Sequence, residues 1–238
     1  MRKNGEPFIT AQNLTIAYGP RVIVHDIDFT VNRGDIFVIM GGSGSGKSTI
    51  MKALIGLKQP DSGVVMVGGT DLWHADSAVR NKILETFGIS FQSGALFSSM
   101  TVGENVALPM ELQTKMSPQQ ITRRVAEKLE LVGLADARDL YPTEISGGMI
   151  KRAALARALA LNPEIVFFDE PSAGLDPIRS KQLDDLIVHI NRAGTTIVMV
   201  THELDSIMSI ATNSIYIDAA THSIAGRGAP QKLLATTK

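Results

Sequence analysis

The chain has 238 residues with 44% hydrophobic content, enough to build a substantial core, and a formal net charge of -1 that supplies no bulk field toward nucleic acid or anionic lipid. It contains no cysteine, which excludes disulfides and thiolate metal sites. Aromatic residues make up only 5%, few for a base-stacking surface.

In chain order, Met1 to Pro7 lacks the apolar core of a secretory leader, and no run approaches the roughly 18 apolar residues of a spanning helix. The expected location is the cytosol, or a membrane reached through a partner. Phe8-Ile9-Thr10, Leu14 to Tyr18, and Val22-Ile23-Val24 through Phe29-Thr30-Val31 predict short antiparallel strands joined by turns such as Asn32-Arg33-Gly34-Asp35. Ile36 to Met40 is an apolar strand that runs into Gly41-Gly42-Ser43-Gly44-Ser45-Gly46-Lys47-Ser48-Thr49. A helix is expected from Ser48, with Ile50, Met51, Leu54 and Ile55 on its apolar face. Pro60 to Gly63 is a turn, Val64 to Gly69 a strand and turn, Asp76 to Leu84 a helix, and Phe87 to Gln92 a strand.

Strand signals vanish between Ser93 and about Glu144, where Ile121, Val125, Leu129 and Val132 recur at helical spacing. Helices are expected over Glu104 to Leu112 and Pro118 to Leu131. A helix over Gly147 to Leu161 stops before Asn162-Pro163. Ile165 to Asp169 is a buried strand, Ile178 to Arg192 a helix ended by Ala193-Gly194, and Thr195 to Thr201 a further strand. Ser214 to Asp218 and Ser223 to Ala225 form a hairpin, and Pro230 opens a last short helix. The alternation predicts an α/β fold with a mainly parallel core sheet, an N-terminal antiparallel β-subdomain and an inserted helical subdomain. The expected organisation is one domain, with residues 1–93 and 145–238 as the nucleotide-binding core and 94–144 as the helical insertion.

The chemistry starts at Gly41 to Thr49, which matches the phosphate-loop pattern GxxxxGK[ST] between a strand and a helix. Glycines let consecutive N–H groups turn inward around a phosphate, and the helix N-terminus faces the same anion. Lys47 can reach the β- and γ-phosphates, and the Ser48 hydroxyl can ligate Mg²⁺. Hydrolysis further requires a carboxylate near the metal and a group that orients water. Asp169 and Glu170, at the carboxyl end of a buried strand, supply these two functions. Ser146, a natural N-cap, precedes Gly147 and Gly148 on a helix carrying Lys151, Arg152 and Arg157. These glycines expose N–H groups as a second anion site. One chain has no evident need for two such cradles, so the second is expected to serve a partner's nucleotide.

These features resemble the ATP-binding subunits of ABC transporters over nearly the whole chain. Ser146-Gly147-Gly148 resembles the signature motif and Gln92 the Q-loop. Ser172 to Asp176 resembles the D-loop, His202 the switch histidine and Tyr18 the aromatic that stacks on adenine. The resemblance implies a head-to-tail dimer of two copies in which Gly41 to Thr49 of one and Ser146 to Gly148 of the other enclose each ATP. It implies that Asp176 crosses the seam, that Gln92 touches the metal or the water beside Ser48 and Asp169, and that His202 contacts the γ-phosphate. His25, His74, His189 and His222 match no motif and read as surface or structural residues, and Trp73, after a turn, takes no role.

Ile145 and Met149 depart from the commonest signature, where Leu and Gln are usual. The loss of the amide at Met149 puts any ribose contact from that position in doubt. Phe91 to Phe97, Ser146 to Arg152 and Gly174 to Ile178 are similar to the ATPase of MCE-linked (Mla-type) lipid transporters. That similarity implies an integral-membrane permease and a periplasmic MCE lipid-binding protein as partners, with no nucleic acid. It also implies a position on the cytoplasmic face of the inner membrane and a phospholipid cargo. A transporter ATPase for another cargo, a soluble ABC ATPase acting on nucleic acid or the ribosome, and an ATP-binding module without turnover stay open on sequence grounds.

Overall fold

The computed structural model describes residues 5–235. The leader reading of Met1 to Asn4 lies outside them. The elements in order are β1 (Pro7–Tyr18), β2 (Arg21–Asn32), β3 (Ile36–Gly41), α1 (Lys47–Leu54), β4 (Ser62–Val67), β5 (Thr70–Asp71) and α2 (Ser77–Leu84). Next come β6 (Phe87–Ser90), α3 (Val102–Gln113), α4 (Pro118–Leu131), α5 (Gly147–Ala158), β7 (Ile165–Asp169) and α6 (Pro177–Arg192). The chain closes with β8 (Thr196–Val200), α7 (Leu204–Ile210), β9 (Asn213–Ile217), β10 (Ile224–Gly228) and α8 (Pro230–Ala235). Two compact units divide it: one runs through Glu85 and resumes at Ile187, the other spans Thr86–Leu186.

In the first unit, β1 pairs antiparallel with β2 and β4, and β4 with β5. The two short strands expected over Phe8 to Thr10 and Leu14 to Tyr18 are one strand. Gln12-Asn13 looks like a turn because it is polar, but the ladder absorbs it as an irregularity between the Ala11 and Leu14 pairs. Asn13 takes φ 48, which Asn tolerates, and its N–H donates to Asp28 Oδ1 at 2.9 Å. The buried strand β3 lies parallel to both β8 and β9, and β10 closes a hairpin on β9. All six residues of β3 and all five of β8 are buried, the continuous apolar pattern of a covered parallel sheet.

In the second unit β6 runs parallel to β7, and α3, α4 and α5 pack together. Val106 and Met110 of α3, Val125 and Leu129 of α4, and Ala153, Ala154 and Leu155 of α5 are buried. Some helix and strand ends differ from the sequence expectation, each for a local reason. Helix α3 starts before Glu104 because Thr101 caps it and Glu104 returns a bond to the Thr101 N–H at 2.7 Å. Strand β6 stops before Gln92 because Gly94 N–H donates to Phe91 O at 2.8 Å and closes a turn. Helix α5 ends before Leu161. Ala160 N–H donates to Arg157 O at 3.1 Å, and Asn162 adopts φ 50.

Candidate functional site

In the first unit, the register of β3 and β9 sets Gly41 beside Ile217, where the strand ends and the loop begins. Gly41 holds φ 152, and a Cβ there would lie 2.5 Å from Ile217 O and 2.6 Å from Ser45 Oγ. Gly46 holds φ 100 as the N-cap of α1, and a Cβ on it would strike Val24 Cγ1 at 2.5 Å. The loop is therefore wedged between β9 and β2, and two of its glycines are required sterically. Gly42, Ser43 and Gly44 are exposed, Ser48 and Thr49 are partly covered, and Lys47 is buried. Lys47 Nζ donates to Gly41 O at 2.9 Å and Gly42 O at 2.8 Å, so the ammonium sits under the loop mouth. The fully buried Ser45 hydroxyl has no hydrogen-bond partner among the described residues. An unmet buried hydroxyl beside a lysine and a helix N-terminus fits a phosphate oxygen.

Tyr18, at the end of β1, is exposed. Asp61 accepts from Ala17 N–H at 2.6 Å and holds Lys58 at 3.4 Å, and Lys58 Nζ stands 5.3 Å from the Tyr18 ring centroid. The Ala17 N–H bond, aided by Lys58, holds the Asp61 carboxyl below its usual range. His202 lies two residues past the end of β8 and is exposed. Parallel pairing of β3 and β8 brings both the loop and His202 to the carboxyl edge of the sheet.

Trp73, given no role by sequence, caps the loop helix. Its Nε1 donates to Ala53 O at 3.1 Å, and Arg80, stacked 4.2 Å over its ring, donates to Gly56 O at 2.8 Å. His25, expected as a surface or structural residue, sits against the β9–β10 turn: its backbone N–H donates to His222 O at 3.0 Å, and its Nε2 lies 3.0 Å from Thr221 O.

In the second unit, Phe167 and Phe168 bury β7 so that Asp169 emerges at its carboxyl end, with Glu170 next at φ 48. Ser146 caps α5, accepting from Met149 N–H at 3.3 Å. Ser146 and Gly147 are exposed, so the first N–H groups of this helix face outward. Its cations do not form part of the anion cradle. Arg152 donates to Val132 O at 3.1 Å, and Arg157 to Ala95 O at 2.7 Å and Gly94 O at 2.9 Å. The anion site expected here rests on the backbone of Gly147 and Gly148. Asp176 caps α6 by accepting from Arg179 N–H at 3.0 Å. Gln92 is exposed in the turn after β6.

Sequence reasoning also missed Asn105. It is fully buried, accepts from Phe97 N–H at 2.8 Å, and donates to the carbonyls of Phe97, Met100 and Thr101. It thereby fixes a loop whose Phe97 ring is 52% exposed.

Residues 24–173 match the family model described as ABC transporter. A Mycobacterium tuberculosis protein named "Probable ribonucleotide transport ATP-binding protein mkl" is 42% identical over 206 residues, 86% of this chain and 57% of its own length. The chain thus spans less than two thirds of that relative. The Escherichia coli K12 "Intermembrane phospholipid transport system ATP-binding protein MlaF" is 38% identical over 236 residues, 99% of this chain and 87% of its own length. Among solved structures, cbiO1 from Clostridium perfringens, part of the ABC transporter complex cbiONQ, superposes with TM-score 0.87 at 27% identity. That match covers 97% of this chain and 92% of the other. The dimeric bacterial ABC transporter cassette MJ0796 superposes with TM-score 0.85 at 29% identity, covering 93% and 98% respectively.

Proposed function

The chain belongs to the ABC transporter family, and on that premise we propose that it is the ATP-hydrolysing subunit of a transporter moving phospholipid between membranes. The observation that carries this reading is the loop Gly41 to Thr49, with its buried Lys47 and unmet Ser45 hydroxyl, in a chain whose Glu170 follows a buried strand. Lys47 and the loop amides bind the ATP phosphates, Tyr18 stacks on adenine, and His202 contacts the γ-phosphate. Ser48, Gln92 and Asp169 would hold Mg²⁺. Their hydroxyl, amide and carboxylate oxygens suit a hard cation that also draws ligands from phosphate. Among the described residues no group of three or more His, Asp or Glu could hold a metal unaided. Bound Mg²⁺ neutralises charge on the transferring phosphate.

Two copies assemble head to tail, with Asp176 at the seam. Ser146, Gly147 and Gly148 of one copy donate to the γ-phosphate held by the other, so ATP favours the closed pair. Glu170 accepts a hydrogen bond from the attacking water and orients it. Loss of the γ-phosphate removes the donors' target, and the pair opens. The helical stretch 94–144, with Leu96 and Phe97 at its edge, transmits closure to an integral-membrane permease. The permease partner gives the chain a peripheral place at the cytoplasmic face of the inner membrane; among the described residues no helix is long and apolar enough to cross a membrane itself. The lipid cargo is supported by the relative named for intermembrane phospholipid transport, which the chain matches almost end to end. A periplasmic MCE partner rests on the resemblance of Phe91 to Phe97, Ser146 to Arg152 and Gly174 to Ile178 alone.

Phosphate release tests the chemistry: Glu170→Gln should bind ATP normally and turn it over about 10²-fold or more slowly. Turnover near that of the parent chain would remove Glu170 from its role. Copurification from detergent-solubilised membranes followed by lipid analysis tests the cargo. Recovery of a permease with bound ribonucleotide and no phospholipid would replace the lipid reading with the one named for the mycobacterial relative.

A further inference from the structure

The segment that follows Glu170 is held from the helix that starts at Ser146. Lys151, one turn into α5, donates through Nζ to Pro171 O at 2.9 Å and also to Ala173 O. These carbonyls flank the buried Ser172 on either side. The turn they fix is tight: Ala173 N–H donates to Glu170 O at 3.2 Å, and Leu175 N–H to Ser172 O at 3.0 Å. Glu170 sits there at φ 48, a left-handed conformation that a residue with a β-carbon keeps only when its surroundings enforce it. The contacts continue further along. A Cβ on Gly148 would lie 3.6 Å from Leu175 Cδ2 and 3.8 Å from Arg179 Cδ, and the Arg179 guanidinium pairs with Asp176 at 3.3 Å. Ser146, Gly148 and Lys151 on the start of α5 and Glu170 to Asp176 after β7 therefore adjoin one another within one unit, with Lys151 bonded across the gap. Burial pushes the Lys151 ammonium below its usual range, and the Glu170 charge acts in the opposite sense, so the two side chains sense each other electrostatically.

We propose that Lys151 is a positioning residue that couples the two nucleotide sites of the dimer. When Ser146 to Gly148 of one copy engage the partner's ATP, Lys151 carries the shift of α5 to the Pro171–Ala173 turn and sets Glu170 of its own copy. Each site then hydrolyses in response to occupancy of the other. The link needs a donor that satisfies two carbonyls at once, which an ammonium provides and a thioether does not. This inference rests on the reading that Ser146 to Gly148 serve a second copy's nucleotide.

The test uses the full chain with Lys151→Met and Lys151→Gln, reading thermal stability, binding of a fluorescent ATP analogue, and turnover against ATP concentration. Expected for Lys151→Met is analogue affinity within about twofold of the parent, kcat lower by about tenfold, and a Hill coefficient fallen toward 1. Lys151→Gln, which keeps a hydrogen-bond donor, should recover part of both kcat and the Hill coefficient. Three results overturn the proposal: parental kcat and cooperativity in Lys151→Met, a lower kcat with cooperativity intact, or Lys151→Gln as impaired as Lys151→Met. A parent chain that binds the analogue and turns over ATP without cooperativity sinks the coupling while leaving the ATPase reading standing. A parent chain with no turnover sinks both.

Discussion

Gly41 and His202 leave the parallel sheet at the same level: Ile39 pairs with Val200, Gly41 ends β3 two positions later, and His202 lies two positions beyond Val200, the last residue of β8. The register of two apolar strands thus brings a phosphate loop and a histidine to one edge of the sheet. Parallel strands place all their carboxyl ends on one side, which is where ligands bind in such sheets.

Gly41 tolerates no side chain. Gly41→Ala should displace Ser45 and the Ile217 carbonyl, destabilise the fold by about 1–3 kcal/mol, and weaken ATP binding. Thermal melts and analogue titration measure both. An unchanged melting temperature with parental affinity would contradict the wedged geometry of the loop.

Asp61 supports Tyr18 through the Ala17 N–H and Lys58. Asp61→Asn should raise the KM for ATP and leave kcat nearly unchanged, because it loosens the ring platform alone. The folded carboxyl titrates below its ordinary 3.8. Its contribution to stability is therefore complete above that value and is lost as pH falls through the lower folded pKa. The stability gap between the parent chain and Asp61→Asn should be constant from neutral pH to about 5 and narrow in stronger acid. A gap that widens there would reverse the sign of this linkage.

Asn105→Leu should strand the amide of Phe97 and the carbonyls of Phe97, Met100 and Thr101. A loss of about 1–3 kcal/mol in denaturant unfolding is expected from unmet buried polar groups. Faster amide exchange should be confined to the 94–101 loop. Uniform exchange across the whole chain would show that Asn105 has no special hold on that loop.

Much of the site was legible because its signals are local. The loop Gly41 to Thr49 sits between an apolar strand and an apolar helix, and Asp169-Glu170 directly follows four buried residues. Ser146 as a cap could be read from its own neighbours. Asn105, Trp73 and Lys151 could not, because each bonds to backbone carbonyls that it reaches only in the folded chain. Lys151 and Pro171 are twenty residues apart, and no periodicity records such a bond. The continuous β1 was missed for the opposite reason. Gln12-Asn13 carries a turn signal, but Asn13 spends it on a left-handed residue inside the strand.

The account depends most on two copies sharing each ATP. Sedimentation of the Glu170→Gln chain with ATP and Mg²⁺, with and without Ser146→Arg, measures this directly. The predicted result is a dimer that forms only with ATP and that Ser146→Arg dissolves while the nucleotide stays bound. A chain that remains single with ATP bound, or a dimer indifferent to Ser146→Arg, would contradict it.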